Sequence, residues 1–382
     1  MKNQNSVLKE ITAQIYKQRP KMPSHLRTNY RLEHVNGGLL CDLWFLTSGC
    51  IHDRQGGCTM CNYGKSDSVI DQEQILRELR CIVEKLPFEF EDFLLTPSGS
   101  MLDPYEVPLN MRDKIVSILH DLKTKRFIIE TRADTVTPNS LEFLSRILPK
   151  AKKYIEIGVE SSNNWILKHC INKNSTYEEF LQAMSLIHSA GMFVTANIGL
   201  GAPFLSERAA IQDTITSVQR VLNDGADSVV LFPYHIKSGT LLEIMNRNDM
   251  YHCVSLWALV EVLSAFSAEE LQKIQISWYK DYFGAERSYI LHSPTTCPSC
   301  RNEVIRLLDQ YRDTQSATIA SQLYNYSCPC REAWQRQLKV QPESVNIEEV
   351  KRTYSELSKL FSLDAGFVDQ ELSVMEDELM RK

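Results

Sequence analysis

Seven of the eleven cysteines fall into two groups whose spacing could do chemistry. The stretch "TSGCIHDRQGGCTMCNYG" (47–64) places Cys50, Cys58 and Cys61 within twelve positions, among glycines and polar residues. Three thiols are one short of a closed zinc site and one too many for a disulfide. Such a trio suits an iron–sulfur cluster with one iron left open to another ligand, since thiolate-held clusters otherwise use four cysteines. It also suits a zinc site completed by His52 or a distant residue. The second group, "CPSC" (297–300) and "CPC" (328–330), sets Cys297 and Cys300 against Cys328 and Cys330 across 27 residues. Four thiols in two short knuckles satisfy tetrahedral structural zinc and equally an auxiliary 4Fe-4S cluster. Cys41, Cys81, Cys170 and Cys253 stand alone and read as small buried hydrophobes.

The chain that carries these groups has an ordinary globular composition. Of 382 residues, 43% are hydrophobic and 24% charged, enough to bury a sizeable core. The formal charge of −6 gives no bulk attraction to nucleic acid. No apolar run approaches the roughly 20 residues that a bilayer needs. The polar start "MKNQNSVLKEITAQIYKQRPKMP" lacks the apolar centre of a signal peptide. The chain therefore reads as cytoplasmic with no membrane partner, a setting in which a disulfide framework is not expected.

From about residue 39 to 234, β-rich apolar runs alternate with amphipathic helical patterns. The runs cover 39–47, 90–97, 126–132, 154–161, 193–201 and 228–235. They are short and rich in Ile, Val, Leu and Phe, as strands covered on both faces should be. Gly191 and Gly225 stand where helix C-terminal glycines belong. Six strand–helix units predict an α/β fold with a parallel sheet, either curled into an open barrel or doubly wound. Both architectures collect ligands at the C-terminal ends of the strands. The residues there are polar or glycine-rich after every run: the cysteine loop, then "TPSGSMLD", "ETRAD", "GVESS", "NIGLGAPF" and "FPYHIKSG". The expected organisation is a helical lead-in (1–35), a core (36–250), an extension with the second cysteine group (251–340) and a charged helical tail (341–382). The tail reads as a solvated capping or partner-binding element.

Several stretches together carry a resemblance: "TSGC…GGCTMCNYG", "TPSGSMLDPYEVP", "IIETRAD", "IEIGVESSNNWILKHCINKNSTYEEF" and "GAPFLSERAAI". Over roughly residues 25–340 the chain resembles the radical S-adenosylmethionine (SAM) superfamily, and within it the archaeosine-biosynthesis and Elp3-like radical SAM proteins. Seven residues separate Cys50 from Cys58, a longer gap than the commonest family spacing. The resemblance implies a partial (β/α)6 TIM-type barrel with a Cys-rich helical extension. It implies that Cys50, Cys58 and Cys61 hold a 4Fe-4S cluster whose fourth iron chelates SAM. Reductive cleavage of SAM would then give a 5′-deoxyadenosyl radical that abstracts a substrate hydrogen.

The same resemblance assigns the rim. Ser98, Gly99 and Ser100 occupy the family's Gly-Gly-Glu strand end, without the Glu, and are expected near the methionine ammonium. Glu130 and Arg132 suit ribose hydroxyls and a carboxylate. Glu160 and Ser161 match a strand end that contacts the cofactor. Asn197, Gly199 and Gly201 match a motif whose glycines let adenine approach the backbone. Met60 and Tyr63 border the cluster loop, either against adenine or in simple loop packing. His52, Asp53 and Arg54 read as solvated or loop-ordering. Tyr234 and His235 end the sixth run, and His235 is the histidine placed for acid–base work.

Two functions follow. One is a C–N lyase acting on a lysine adduct of 7-deazaguanine in tRNA, with a tRNA-modifying transferase as partner. The other is a radical SAM enzyme of small-molecule biosynthesis, for a natural product or cofactor, with sulfur insertion at the second metal site as one version. Either needs an electron donor such as flavodoxin or ferredoxin.

Overall fold

Side-chain alternation along each strand decides the architecture. The computed structural model describes residues 6–19, 27–35, 37–65, 71–87, 89–281 and 289–381, so parts of the lead-in and the final residue lie outside the described residues. The strands are β1 (Thr28–Val35), β2 (Gly38–Phe45), β3 (Glu89–Pro97), β4 (Lys123–Thr131), β5 (Lys152–Glu160), β6 (Phe193–Leu200), β7 (Ser228–Pro233), β8 (Ile236–Lys237), β9 (Ile274–Ile276) and β10 (Ile290–His292). Eight pair in the order β1-β2-β3-β4-β5-β6-β7-β9. β2 to β7 and β9 run parallel, and β1 pairs antiparallel with β2.

On one face Leu43, Phe45, Phe93, Leu95, Phe127, Ile129, Ile155, Ile157, Val194 and Ile198 are buried. Helices 72–83, 109–119, 138–146, 177–189 and 207–223, one after each of β2 to β6, supply much of the same core. The alternate residues, among them Asp42, Trp44, Asp92, Thr96, Glu130, Glu156 and Asn197, line a cavity of about 800 Å³. The sheet is therefore a curled half-barrel whose inner face is largely polar, where the composition of the runs pointed to apolar cover on both faces. Helix ends follow local chemistry. Thr176 and Glu179 form a capping box at the start of 177–189. Gly191 and Gly225 both take positive φ just past their helices.

Two elements differ from the expected organisation. Among its described residues the lead-in is helix at Val7–Gln18, whereas Thr28–Val35 is a strand, because its alternating burial pairs it register for register with β2. The tail is not a solvated element. Val350, Tyr354 and Leu357 of helix Ile347–Leu360, with Val368 and Met375 of helix Ala365–Met380, share a second core with Val7, Leu8 and Ile11. Of the lone cysteines, Cys41 and Cys170 are buried, Cys253 is half-buried, and Cys81 is exposed.

Helix Arg301–Thr314 reaches both edges of the sheet. Tyr311 donates its hydroxyl to the carbonyl of Ile274 in β9 at 2.9 Å, and Arg312 pairs with Glu33 of β1 at 2.6 Å. Among the described residues no helix is long and apolar enough to cross a membrane.

Candidate active site

The cysteine loop leaves the C-terminal end of β2, and Cys50, Cys58 and Cys61 all line the cavity. None is in a disulfide. Its long first gap is closed by buried polar contacts. Asp53 lies 3% exposed, receives Arg19 Nη1 at 2.5 Å and Nη2 at 3.2 Å, and accepts the Gly64 amide at 2.5 Å. Arg19 also donates to the carbonyls of Gly239, at 2.7 Å, and Cys61, at 3.4 Å. Asn172, itself left-handed at φ 57°, donates to the carbonyls of Gly56 and Gly57. Gly56 takes φ 91°, and a Cβ there would strike the Lys9 carbonyl.

His52, Asp53 and Arg54 thus order the loop. His52 turns its Nε2 to the Asn172 carbonyl at 2.8 Å, away from the role of a fourth metal ligand. Arg54 holds the Ser48 carbonyl. Between Cys58 and Cys61, Thr59 donates its amide to Ile171 O at 2.9 Å and its hydroxyl to Cys170 O at 3.1 Å. Those carbonyls belong to the π-helical turn Leu167–Ile171.

The second rim segment is spent on the protein itself. Ser98 Oγ accepts the Thr47 amide at 2.7 Å, tying the end of β2 to β3. Ser100 gives its amide to Glu106, and its hydroxyl shares hydrogen bonds with the hydroxyls of Thr131 and Thr135. The Glu106 carboxylate, 1% exposed, packs against Gly99 and accepts the Ile51 amide beside Cys50. Arg132 meets Glu106, Asp103 and Asp134, and its Nη1 lies 3.7 Å from Cys50 Sγ. Three protein carboxylates and a cysteine surround this guanidinium, for which the resemblance implies a cofactor carboxylate.

Three more rim residues depart from their expected contacts. Ser161 turns from the cavity to Asp213 at 2.9 Å. Gly199 makes room for Tyr234, since a Cβ there would collide with the phenol, and Gly201 accepts the Tyr251 hydroxyl at 2.8 Å. Tyr234 occupies the space beside Gly199, and Val254 with Tyr251 that beside Gly201. His235 is buried between Ser293 Oγ, 3.0 Å from Nδ1, and the Trp278 carbonyl at Nε2. Burial, the largest cause, lowers its pKa to about 4. The imidazole is neutral near pH 7, and both its nitrogens are engaged in pinning loops.

This carries a pH signature. The unfolded imidazole takes a proton below about 6.5 and the folded one only near about 4. Stability should therefore fall as pH drops through that window. His235→Gln should remove that part of the acid slope while leaving the pH profile of catalysis unmoved; chemical denaturation against pH measures the first and initial rates the second.

The cavity is lined by Met60, Tyr63, Ser98, Gly99, Glu130, Arg132, Glu160, Asn197 and His235, and also by Lys173, Lys237 and Glu156, which sequence reasoning missed. Glu160, at φ 68°, accepts Lys173 Nζ at 3.0 Å and the Tyr234 hydroxyl at 3.2 Å. Lys237 Nζ lies 5.3 Å from the Tyr63 ring centre and 5.4 Å from that of Trp278. Glu130 and Glu156 are register partners on β4 and β5. Burial and then Glu130 push Glu156 up to about 8, so the two carboxyls hold a proton between them near neutrality. Asn197 Oδ1 beside them has no partner. The folded pair keeps a proton that the unfolded chain, with Glu near 4.5, has lost. Stability should thus decline as pH rises from about 4.5 to about 8, and Glu156→Gln should flatten that decline in thermal melts across the range.

The second group is drawn together: Cys297, Cys300, Cys328 and Cys330 have their sulfurs within 4.8 Å of one another. Among the described residues they are the one group of three or more His, Cys, Asp or Glu ligands so close. None of the four lines the cavity.

The three free thiols after the first parallel strand agree with what comparison with known proteins finds. The radical SAM superfamily profile matches residues 44–211. Those residues carry the domain of the radical SAM enzymes. The chain is 29% identical over 303 residues to archaeosine synthase subunit beta of Methanosarcina acetivorans, covering 78% of this chain and 84% of that protein. It is also 29% identical over 305 residues to the subunit of the same name in Thermococcus kodakarensis, covering 76% and 88%. Among solved structures, it is similar to the archaeal Methanocaldococcus infernus Elp3 with an N-terminal deletion, at 16% identity and a TM-score of 0.45, covering 70% of this chain and 58% of that one.

The trio fits the cluster such an enzyme uses. Three thiols converge on one cavity, which leaves one iron of a 4Fe-4S cluster for SAM.

Proposed function

We propose that this radical SAM enzyme is a C–N lyase of 7-deazaguanine modification in tRNA, working beside a transferase partner. The observation that carries the proposal is the length of the likeness to archaeosine synthase subunit beta. It extends over 303 residues, well beyond the 44–211 segment of the superfamily. Cys50, Cys58 and Cys61 are the ligands of the cluster, and Met60, Tyr63, Glu130, Glu160 and Asn197 the residues around SAM. When bound, the cluster supplies the electron that breaks the sulfonium C–S bond, and the resulting radical takes a substrate hydrogen.

The chain's own residues orient and enclose. Arg132 places a guanidinium beside the first cysteine. The Lys173–Glu160–Tyr234 chain fixes the wall near Cys58. The Glu130–Glu156 pair offers acceptors to the N–H edge of a guanine-type base. A flavodoxin or ferredoxin is the electron donor in this reading.

One observation favours the second reading, a small-molecule substrate. The cavity, about 800 Å³, is within the size range of small-ligand sites, and the chain is net acidic. The sulfur-insertion version gains nothing from the placement of the second cysteine group, which lies off the cavity.

The deciding experiment gives reduced, cluster-loaded enzyme SAM together with either tRNA bearing a lysine-adduct 7-deazaguanine or the free modified base. Loss of the adduct from tRNA, coupled to 5′-deoxyadenosine, is the expected result. Reaction with the free base alone would hand the assignment to the small-molecule reading.

A further inference from the structure

We infer that Cys297, Cys300, Cys328 and Cys330 bind a single zinc ion, and that this ion fastens shut the open seam of the half-barrel. The sulfur separations are 3.5 Å for Cys297–Cys300, 3.7 Å for Cys297–Cys328 and 3.6 Å for Cys300–Cys330. Four sulfurs each about 2.3 Å from one zinc form a tetrahedron with edges of about 3.8 Å. In a 4Fe-4S cluster each sulfur stands on a different iron, displaced from the centre by the centre-to-iron distance as well as the Fe–S bond. Its sulfurs therefore spread past the 4.8 Å within which all four lie here.

The site is also closed. It has four protein ligands and no open position, and Cys300 and Cys328 are buried. The Trp257 indole N–H points at Cys330 Sγ, 3.4 Å away, a donor aimed at thiolate charge. With no sulfur on the cavity wall, the site neither touches substrate nor offers it an atom. A closed tetrathiolate is the setting of structural zinc.

What the ion would hold follows from its ligands. Cys300 opens helix Arg301–Thr314, and Cys328 opens helix Pro329–Lys339. The first of these touches β9 through Tyr311 and β1 through Arg312, the two edges that the sheet leaves apart. Its Asp309 takes the Tyr279 hydroxyl and Lys280 Nζ, each at 2.6 Å, next to Trp278 on the cavity wall. The second helix is tied to the barrel by the Trp334 indole, which donates to Glu207 at 2.9 Å. Zinc would thus join two helices at their N-termini and set the register of the one that bridges the seam.

The inference stands independently of the tRNA reading, and its tests do not use activity. Metal and sulfide analysis of the full chain with Cys50, Cys58 and Cys61 all changed to Ala should find one zinc per chain, without iron or sulfide. X-ray absorption at the zinc edge should show four sulfurs near 2.3 Å. Iron with sulfide, iron alone, or no metal would each overturn the assignment. Stripping zinc with a chelator should raise amide exchange at least tenfold in 271–276 and 305–312, with β3 to β6 unchanged. Unchanged exchange in those two stretches refutes the seam role. Cys300→Ser should lose the zinc; if that variant fails to fold, absorption and exchange on the unsubstituted chain still decide.

Discussion

Cys58→Ala enzyme should form no 5′-deoxyadenosine above background, a fall of at least three orders of magnitude, on the order of 4 kcal/mol. In this reading each cysteine of the trio serves one iron, and the loop has no slack with which to offer a substitute. On the C-terminal side of Cys58, Thr59 is bonded to Ile171, to Cys170 and, through its carbonyl, to the Leu241 amide at 3.1 Å. On the N-terminal side, the Gly57 carbonyl is held by Asn172 at 2.8 Å. The nearby lone cysteine, Cys170, has its thiol buried and its carbonyl committed to that same clasp. Anaerobic iron and sulfide analysis with chromatography of the nucleoside product checks the result. Full iron occupancy with undiminished product would remove Cys58 from the cluster.

The second large effect is expected far from the cysteines in sequence. Arg19→Met leaves Asp53 charged, 3% exposed and without its bidentate partner. Breaking a buried pair by removing one member costs about 3–5 kcal/mol, a loss of about 5 °C in melting temperature for a chain of this length. Arg19 also holds the carbonyl of Cys61, so iron loading should fall in the same variant. Arg19→Lys keeps the charge but not the fork, and should lie between the two. Thermal unfolding and iron per chain measure both effects. A melting temperature within a degree or two of the parent would mean that the pair does not carry the loop.

The contrast between these two variants shows what was legible in the sequence. The trio and the second group announce themselves by residue type and spacing, and six of the sheet's strands by short β-rich runs between helical patterns. β1 and β9 carried weaker signals: one lies beyond the run of strand–helix units, and the other is three residues long. The rim was legible as a rim, but not in the duties of its members. Ser161, Gly199, Gly201 and Arg132 sit at the expected strand ends, yet each is occupied by a partner that only the fold brings near: Asp213, Tyr234, Tyr251, Glu106. Asp53 likewise finds Arg19 34 positions away, and His52 finds the Asn172 carbonyl 120 away. No local period or motif encodes such pairs, since a charged residue reads as solvated until its partner is in place.

The tail has one more consequence, which concerns the order of events in the cell. The π-helical turn that grips Thr59 is itself held from below, where the Tyr354 hydroxyl meets the His169 carbonyl at 2.5 Å and the Trp165 indole meets the Met375 carbonyl at 2.9 Å. The Val7 amide, 364 positions before its partner, meets the Glu371 carboxylate at 2.5 Å. A ribosome making this chain releases the cysteine loop long before residues 354–375, which underpin it. Contacts of such long sequence separation form late, so the loop should settle only once those residues have emerged and docked. Metal loading of the trio should follow that docking.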